Sequence, residues 1–115
     1  MYDIRINNVG IDIEEVGTFK KELNNELFLC KIFSNQEIKY CKSKMEPHLS
    51  FAGKFCAKEA VIKSLNKKIE MKSIEILNNR NGQPEVYING KKEKKIKCSI
   101  SHSNTYAIAI AIILV

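Results

Sequence analysis

The chain has no tryptophan, two arginines (Arg5 and Arg80) and few aromatic residues, 8% in all. No aromatic-rich strand offers a platform on which bases could stack. A small basic nucleic-acid-binding module, the rival reading, would therefore have to rely on lysines against a phosphate backbone. That reading also leaves Asp12, Glu14 and Glu59 as liabilities beside a polyanion. The cysteines Cys30, Cys41, Cys56 and Cys98 form no C-x-x-C pair, and no Cys/His cluster has zinc spacing, which argues against a metal–thiolate site. No apolar run approaches the ~20 residues of a membrane-spanning helix. The most apolar segment, Tyr106 to Val115, is short, isoleucine-rich and alternating, as in a buried strand. Met1 to Asn8 is mixed polar and lacks the apolar core of a signal peptide, so reduced thiols and a cytoplasmic location are expected. Repeats, low-complexity tracts and linkers are absent. So is a nucleophile elbow, which leaves a Ser–His–Asp hydrolase a poor match.

What is present is the composition of a globular domain. The 115 residues are 44% hydrophobic and 28% charged, and they read as one domain over 1–115. A chain this short buries roughly two-thirds of its unfolded surface. That supports a core but no deep chamber, so a small ligand should bind in a groove or between subunits. The net charge is +6, nearly all of the excess being lysine. Such a surface favours phosphorylated cofactors, other polyanions or an acidic protein, although lysines that are merely solvated fit as well.

Periodicity places the elements. Val9 to Val16 alternates as a strand, with Asp12 and Glu14 on one face and Ile11 and Ile13 packing on the other. Thr18 to Ile32 has helical spacing. Ser34 and Glu37 have the form of a capping box that opens a helix from Asn35 to about Met45, ended by Pro47. Leu49 to Leu65 is the strongest helix, its apolar stripe running through Ala52, Cys56 and Ala60 with Lys54, Lys58, Glu59 and Lys63 off it. Asn66 is its stop. Ser73–Leu77, Glu85–Ile88, Ile96–Ile100 and Tyr106–Leu114 are strands, with turns at 78–84 and at Asn89-Gly90 and a loop over Ser101–Thr105. In the last strand, alanines 107, 109 and 111 face one way, and small residues there predict a helix lying close. The fold class is α+β, with helices packed on an antiparallel β-sheet.

Three constellations carry candidate chemistry. Asp12 and Glu14 would repel each other unless solvated or neutralised, and a hard divalent cation takes such oxygens readily. They could equally be the solvated face of an edge strand. Glu59 and Lys63, at i and i+4, could be an ordinary helix ion pair, or a metal-holding carboxylate beside a phosphate-holding ammonium. Ser101, His102 and Ser103 could hydrogen-bond a phosphate or a hydroxyl, or be an unremarkable loop.

Taken together, these segments resemble a known family. Val9-Gly10-Ile11-Asp12-Ile13-Glu14-Glu15 resembles the first signature of the 4′-phosphopantetheinyl transferases. Phe51-Ala52-Gly53-Lys54-Phe55-Cys56-Ala57-Lys58-Glu59-Ala60, followed by Lys63, resembles the second. Ile74-Glu75-Ile76 with Gly82-Gln83-Pro84 resembles the strand and turn that follow, and Ser99 to Ser103 with Tyr106-Ala107 the closing signature. The order is the family's, and the length and the Phe-x-x-Lys-Glu-Ala form resemble the holo-[acyl-carrier-protein] synthase type.

The resemblance implies the phosphopantetheinyl transferase fold and a Mg²⁺-dependent enzyme. Coenzyme A would donate its phosphopantetheine to a serine of an acidic acyl carrier protein, releasing adenosine 3′,5′-bisphosphate. It implies Asp12 and Glu59 as metal ligands. Glu14 joins them through its place on the strand, although the synthase type often has a non-acidic residue there. Glu59 and Lys63 are the implied catalytic residues, with Glu59 or a water on the metal as the base for the serine. Lys54, Lys58, Lys63, Gly82, Pro84, Ser101 and His102 are the implied coenzyme contacts, with Lys54 standing where arginine is common. Cys56 stands for a usual alanine, a packing change. Lys20, Lys21 and Lys39 are the candidate carrier surface. A homotrimer with sites between subunits is implied, with no nucleic acid or membrane as partner.

Overall fold

The computed structural model describes residues 4–115; the first three residues of the expected 1–115 domain lie outside the described residues. In chain order the elements are β1 (Ile6–Glu15), α1 (Val16–Lys21), α2 (Glu26–Ile32), α3 (Asn35–Lys42), α4 (Pro47–Leu65), a 3₁₀ turn (Met71–Ser73), β2 (Ile74–Asn78), β3 (Pro84–Ile88), β4 (Lys91–Lys92), β5 (Ile96–His102) and β6 (Tyr106–Leu114). The strands make two antiparallel sheets, ordered β1-β6-β5 and β2-β3-β4. The α+β class read from the sequence is the one observed.

Helix α4 is the axis of the molecule. It packs on β1, β6, β5 and α1, and touches α3 and β2. Pro47 stands in its first turn, where a missing N–H costs nothing. That corrects the expectation that Pro47 ends the preceding helix. Asn66 closes α4 in the left-handed conformation, φ 54°. Phe51, Ala52, Cys56, Ala57, Ala60 and Val61 are buried, but so are Lys54 and Lys58, expected off the stripe. A helix covered on most sides leaves little polar face, and Lys54 and Lys58 must find partners inside.

Lys58 finds Glu37. Its Nζ donates to Glu37 Oε1 at 2.6 Å and to the Ile32 carbonyl at 2.7 Å, and both charged side chains are wholly buried. Glu37 also accepts from the Ile76 N–H at 2.8 Å and from the Ser34 N–H at 2.9 Å. The capping box is thus real: Ser34 Oγ accepts from the Glu37 N–H at 3.3 Å. It is also larger than its sequence form, because the same carboxylate ties α3, α4 and β2 together. The helix expected over Thr18–Ile32 divides in two, since Asn25 Oδ1 accepts from the Phe28 N–H at 3.1 Å and starts α2. Phe19 from α1 and Phe28 from α2 then meet Phe33 and Phe55 in one aromatic group beside α4.

The β1-β6-β5 sheet meets α4 through its small residues. Ala107, Ala109 and Ala111 are buried against the helix, as the alternation predicts. Gly10 is closer still: a Cβ there would lie 2.0 Å from the Ala60 carbonyl oxygen and 2.7 Å from the Ser64 nitrogen. This close approach reverses one expectation. Bulky isoleucines cannot enter so thin a gap, so Ile11 and Ile13 point away from α4, 57% and 59% exposed. With Val9, Tyr106, Ile108 and Ile110 they form an exposed apolar face. Asp12 and Glu14 take the inward face. Between β3 and β4, Asn89 and Gly90 both have positive φ, 52° and 80°, as a two-residue hairpin turn requires. Strand β5 runs on through His102, so Ser101 and His102 are strand residues and not loop residues.

Gly10→Ala is expected to lower stability to urea by about 3 kcal/mol or more, since backbone stands in the way of the added methyl. Gly17→Ala, where a Cβ meets nothing within 4 Å, is the control and should be neutral or mildly stabilising. Equal urea midpoints for the two variants would contradict the close contact.

Candidate active site

Asp12 and Glu14 lie two apart on β1 and face Cys56, Glu59 and Lys63 of α4. These helix residues follow at i, i+3 and i+7, so they share one side. Lys63 Nζ donates to Asp12 Oδ1 at 3.2 Å and to the Ile11 carbonyl at 3.0 Å. Cys56 Sγ stands 3.4 Å from Asp12 Oδ2 and 3.1 Å from the Asp12 carbonyl oxygen. Asp12 is 9% exposed, whereas Lys63 reaches solvent.

The carboxylates crowd one another. Burial, a hydrogen bond to Asp12 and the charges of Asp12 and Glu59 push Glu14 up to about 7. Burial and the Asp12 charge also raise Glu59, with Lys63 opposing. Burial first and Asp12 second push the Cys56 thiol up to about 12, so it keeps its proton. Glu14 and Glu59, each raised in affinity for protons, are short of positive charge. The donors are hard oxygens, as a divalent cation such as Mg²⁺ prefers. Among the described residues no three acidic, histidine or cysteine side chains converge closely enough for an all-protein cage. The donor set therefore fits a cation that keeps waters and takes further oxygens from a phosphorylated ligand, which is how Mg²⁺ is commonly held.

A second region lies across the helix. A groove of about 260 Å³ is lined by Tyr40, Ser50, Gly53, Lys54, Asn78, Gly82, Pro84 and His102, among others. Lys54 Nζ donates to Asn78 Oδ1 at 2.6 Å and to the Ile76 carbonyl, and burial lowers its pKa. The ammoniums of Lys44 and Lys54 stand over the Tyr40 ring, 4.4 and 4.5 Å from its centroid. Gly82, at φ 82°, makes the turn that brings Pro84 to the groove. At 100° per residue, Lys54 and Lys63 are about 180° apart around α4. One opens on the groove and the other on the acid cluster.

The structure thus gathers Asp12, Glu14, Glu59 and Lys63 in one place, and Lys54, Gly82, Pro84 and His102 in another. Two of the residues assigned to the coenzyme fall in neither. Lys58 is corrected to a structural role: its amine is buried and spent on Glu37 and Ile32. Ser101 points to the opposite side of β5 from His102, into a shallow apolar hollow with Ile11, Ile108 and Ile110, because successive strand residues alternate. Tyr40 and Asn78 were not legible as site residues: they lie on α3 and β2, and no spacing connects them. Cys56 was legible only as packing.

Residues 8–111 match the family model described as the 4′-phosphopantetheinyl transferase superfamily. The chain belongs to this superfamily. It is 46% identical over 112 residues to the holo-[acyl-carrier-protein] synthase of Thermodesulfovibrio yellowstonii, covering 94% of this chain and 98% of that one. Among solved structures, the fold is similar to a holo-(acyl-carrier-protein) synthase from Bacillus anthracis in complex with CoA (3′,5′-ADP). That likeness has a TM-score of 0.81 at 27% identity, over 97% of this chain and 98% of that one. The Helicobacter pylori synthase in complex with coenzyme A is similar at TM-score 0.77 and 28% identity, over 91% and 98%. The phosphopantetheinyl transferase fold expected from the motifs is therefore the fold observed.

Stability should report the acid cluster directly. The folded chain holds the Glu14 proton more tightly than an unfolded carboxyl at 4.5 does, so this group's contribution is present at low pH and is lost as pH rises towards about 7. Without divalent cation, the melting temperature should fall by a few degrees from pH 5 to 8 relative to Glu14→Gln, and millimolar Mg²⁺ should offset most of that fall. Parallel profiles for the two proteins, unmoved by Mg²⁺, would contradict it.

Proposed function

We propose that the chain is a holo-[acyl-carrier-protein] synthase, one domain over 1–115. It moves 4′-phosphopantetheine from coenzyme A to a serine of an apo acyl carrier protein. The observation that carries this is the meeting of Asp12 and Glu14 on β1 with Glu59 and Lys63 on α4. It stands in a chain whose full-length relatives include such synthases and whose structural neighbours include complexes with coenzyme A.

Asp12 and Glu59, with Glu14 beside them, are the groups that would hold Mg²⁺. The ion's contribution when bound is to neutralise charge on the diphosphate oxygens. Lys63, exposed and flexible, can leave Asp12 for a phosphate oxygen and steady the charge that grows there. The serine Oγ forms a bond to the β-phosphorus, the bond from that phosphorus to the bridging oxygen breaks, and adenosine 3′,5′-bisphosphate leaves with the electron pair. Glu59 is the candidate to take the serine proton, and burial with the Asp12 charge raises its carboxyl above the ordinary value, which favours a base. In the groove, Lys54 and His102 offer donors for the phosphoadenosine end, and Gly82 and Pro84 form the turn against which the adenine rests.

The two half-sites lie at opposite edges of the β1-β6-β5 sheet. A homotrimer would join the groove of one subunit to the acid cluster of the next and would cover the exposed isoleucine face. Lys20, Lys21 and Lys39 are exposed, and in this reading they steer the acidic carrier. Coenzyme and carrier are both soluble, and the enzyme works in the cytoplasm.

Incubation with coenzyme A, Mg²⁺ and an apo acyl carrier protein should add one phosphopantetheine to the carrier, read by intact mass, and a chelator should stop it. Asp12→Asn and Glu59→Gln should each reduce the rate by at least about 100-fold while leaving the protein folded. An unmodified carrier, or full activity in either variant, would contradict the proposal.

A further inference from the structure

Asp12 is gripped twice by α4. Lys63 holds Oδ1 at 3.2 Å and the neighbouring Ile11 carbonyl at 3.0 Å. Two turns earlier, Cys56 Sγ meets Oδ2 at 3.4 Å and Asp12's own carbonyl at 3.1 Å, with the Ala107 carbonyl at 3.5 Å. The two partners differ in freedom. Lys63 is exposed on a long, rotatable stem, whereas Cys56 is wholly buried on the helix backbone. A lysine drawn towards phosphate leaves Oδ1 open, and Cys56 is then the contact from α4 that still orients the carboxylate.

We infer that Cys56 is a positioning residue: its single S–H, shared between the Asp12 carbonyl oxygen at 3.1 Å and Oδ2 at 3.4 Å, fixes Asp12 against α4 and would keep its carboxylate in place when Lys63 leaves. The thiol touches neither substrate nor metal in this role. It acts through Asp12, as an outer partner orients a metal ligand. A sulfur donor is weak and long, so it orients Asp12 without neutralising it, and Asp12 remains available to the cation. The inference rests on Asp12 being a metal ligand, as proposed above.

The test is Mn²⁺ uptake, read from the loss of the free-ion paramagnetic resonance signal, with coenzyme A present. Cys56→Ala should weaken Mn²⁺ binding by roughly three- to tenfold, lower the melting temperature by no more than a few degrees, and leave the KM for coenzyme A unchanged at saturating metal. Cys56→Ser, which restores a donor, should recover most of the affinity; a purely packing role would not be rescued by a polar hydroxyl. Should the alanine variant not fold, Cys56→Val supplies an apolar side chain of similar size and should show the same loss. Wild-type Mn²⁺ affinity in the alanine or valine variant overturns the inference while leaving the metal site standing. A wild-type chain that takes up no Mn²⁺ overturns the metal reading and this inference with it.

Discussion

A strand and a helix approach here to a distance that tolerates no side chain. Gly10 lies against the Ala60 carbonyl, and Ala107, Ala109 and Ala111 extend the thin contact along β6. The chemistry depends on this contact. It sends the bulky residues of β1 and β6 outward, and it brings the carboxylates of Asp12 and Glu14 onto the side of α4 that carries Cys56, Glu59 and Lys63. A wider gap filled by larger side chains would part the two sets of groups. The crowded carboxylates are destabilising by themselves, and their raised affinity for protons is the measure of that strain.

Helix α4 has to be held firmly for this to work, and a second buried interaction holds it. Glu37 accepts from Lys58, from the start of α3 and from β2, so one carboxylate fixes α4 to both a helix and the second sheet. Such pairs add little net stability but exact a large cost if one member is removed, so they favour a single arrangement. The three lysines of α4 accordingly do three things. Lys58 is structural, Lys54 lines the groove from a committed position, and Lys63 is free to move. The 3.6-residue turn puts Lys63 on the side opposite Lys54, whereas Lys54 and Lys58, about 40° apart, are separated by their height along the helix.

Much of this could be read from the residues alone. Alternation along β1 put Asp12 beside Glu14, alanine alternation in β6 announced the helix, and Ser34 with Glu37 marked the start of α3. The failures have a common cause. Periodicity says which residues share a face but not which face is covered, so Ile11 and Ile13 were expected inside and lie outside. The same ambiguity left Lys58 looking like a surface lysine, because its partner Glu37 sits 21 residues earlier on another helix. The groove residues Tyr40 and Asn78 converge only in three dimensions. Ser101 and His102 part company because β5 extends further than a turn-rich sequence implies.

The central claim is that the β1 and α4 carboxylates bind a cation that in turn binds the coenzyme's diphosphate. Calorimetric titration of coenzyme A into the protein, with and without Mg²⁺, tests it most directly. Binding should tighten by about tenfold or more when Mg²⁺ is present, and Asp12→Asn should abolish that gain while leaving the cation-free affinity intact. Equal affinity with and without the cation in the wild-type protein would contradict the account.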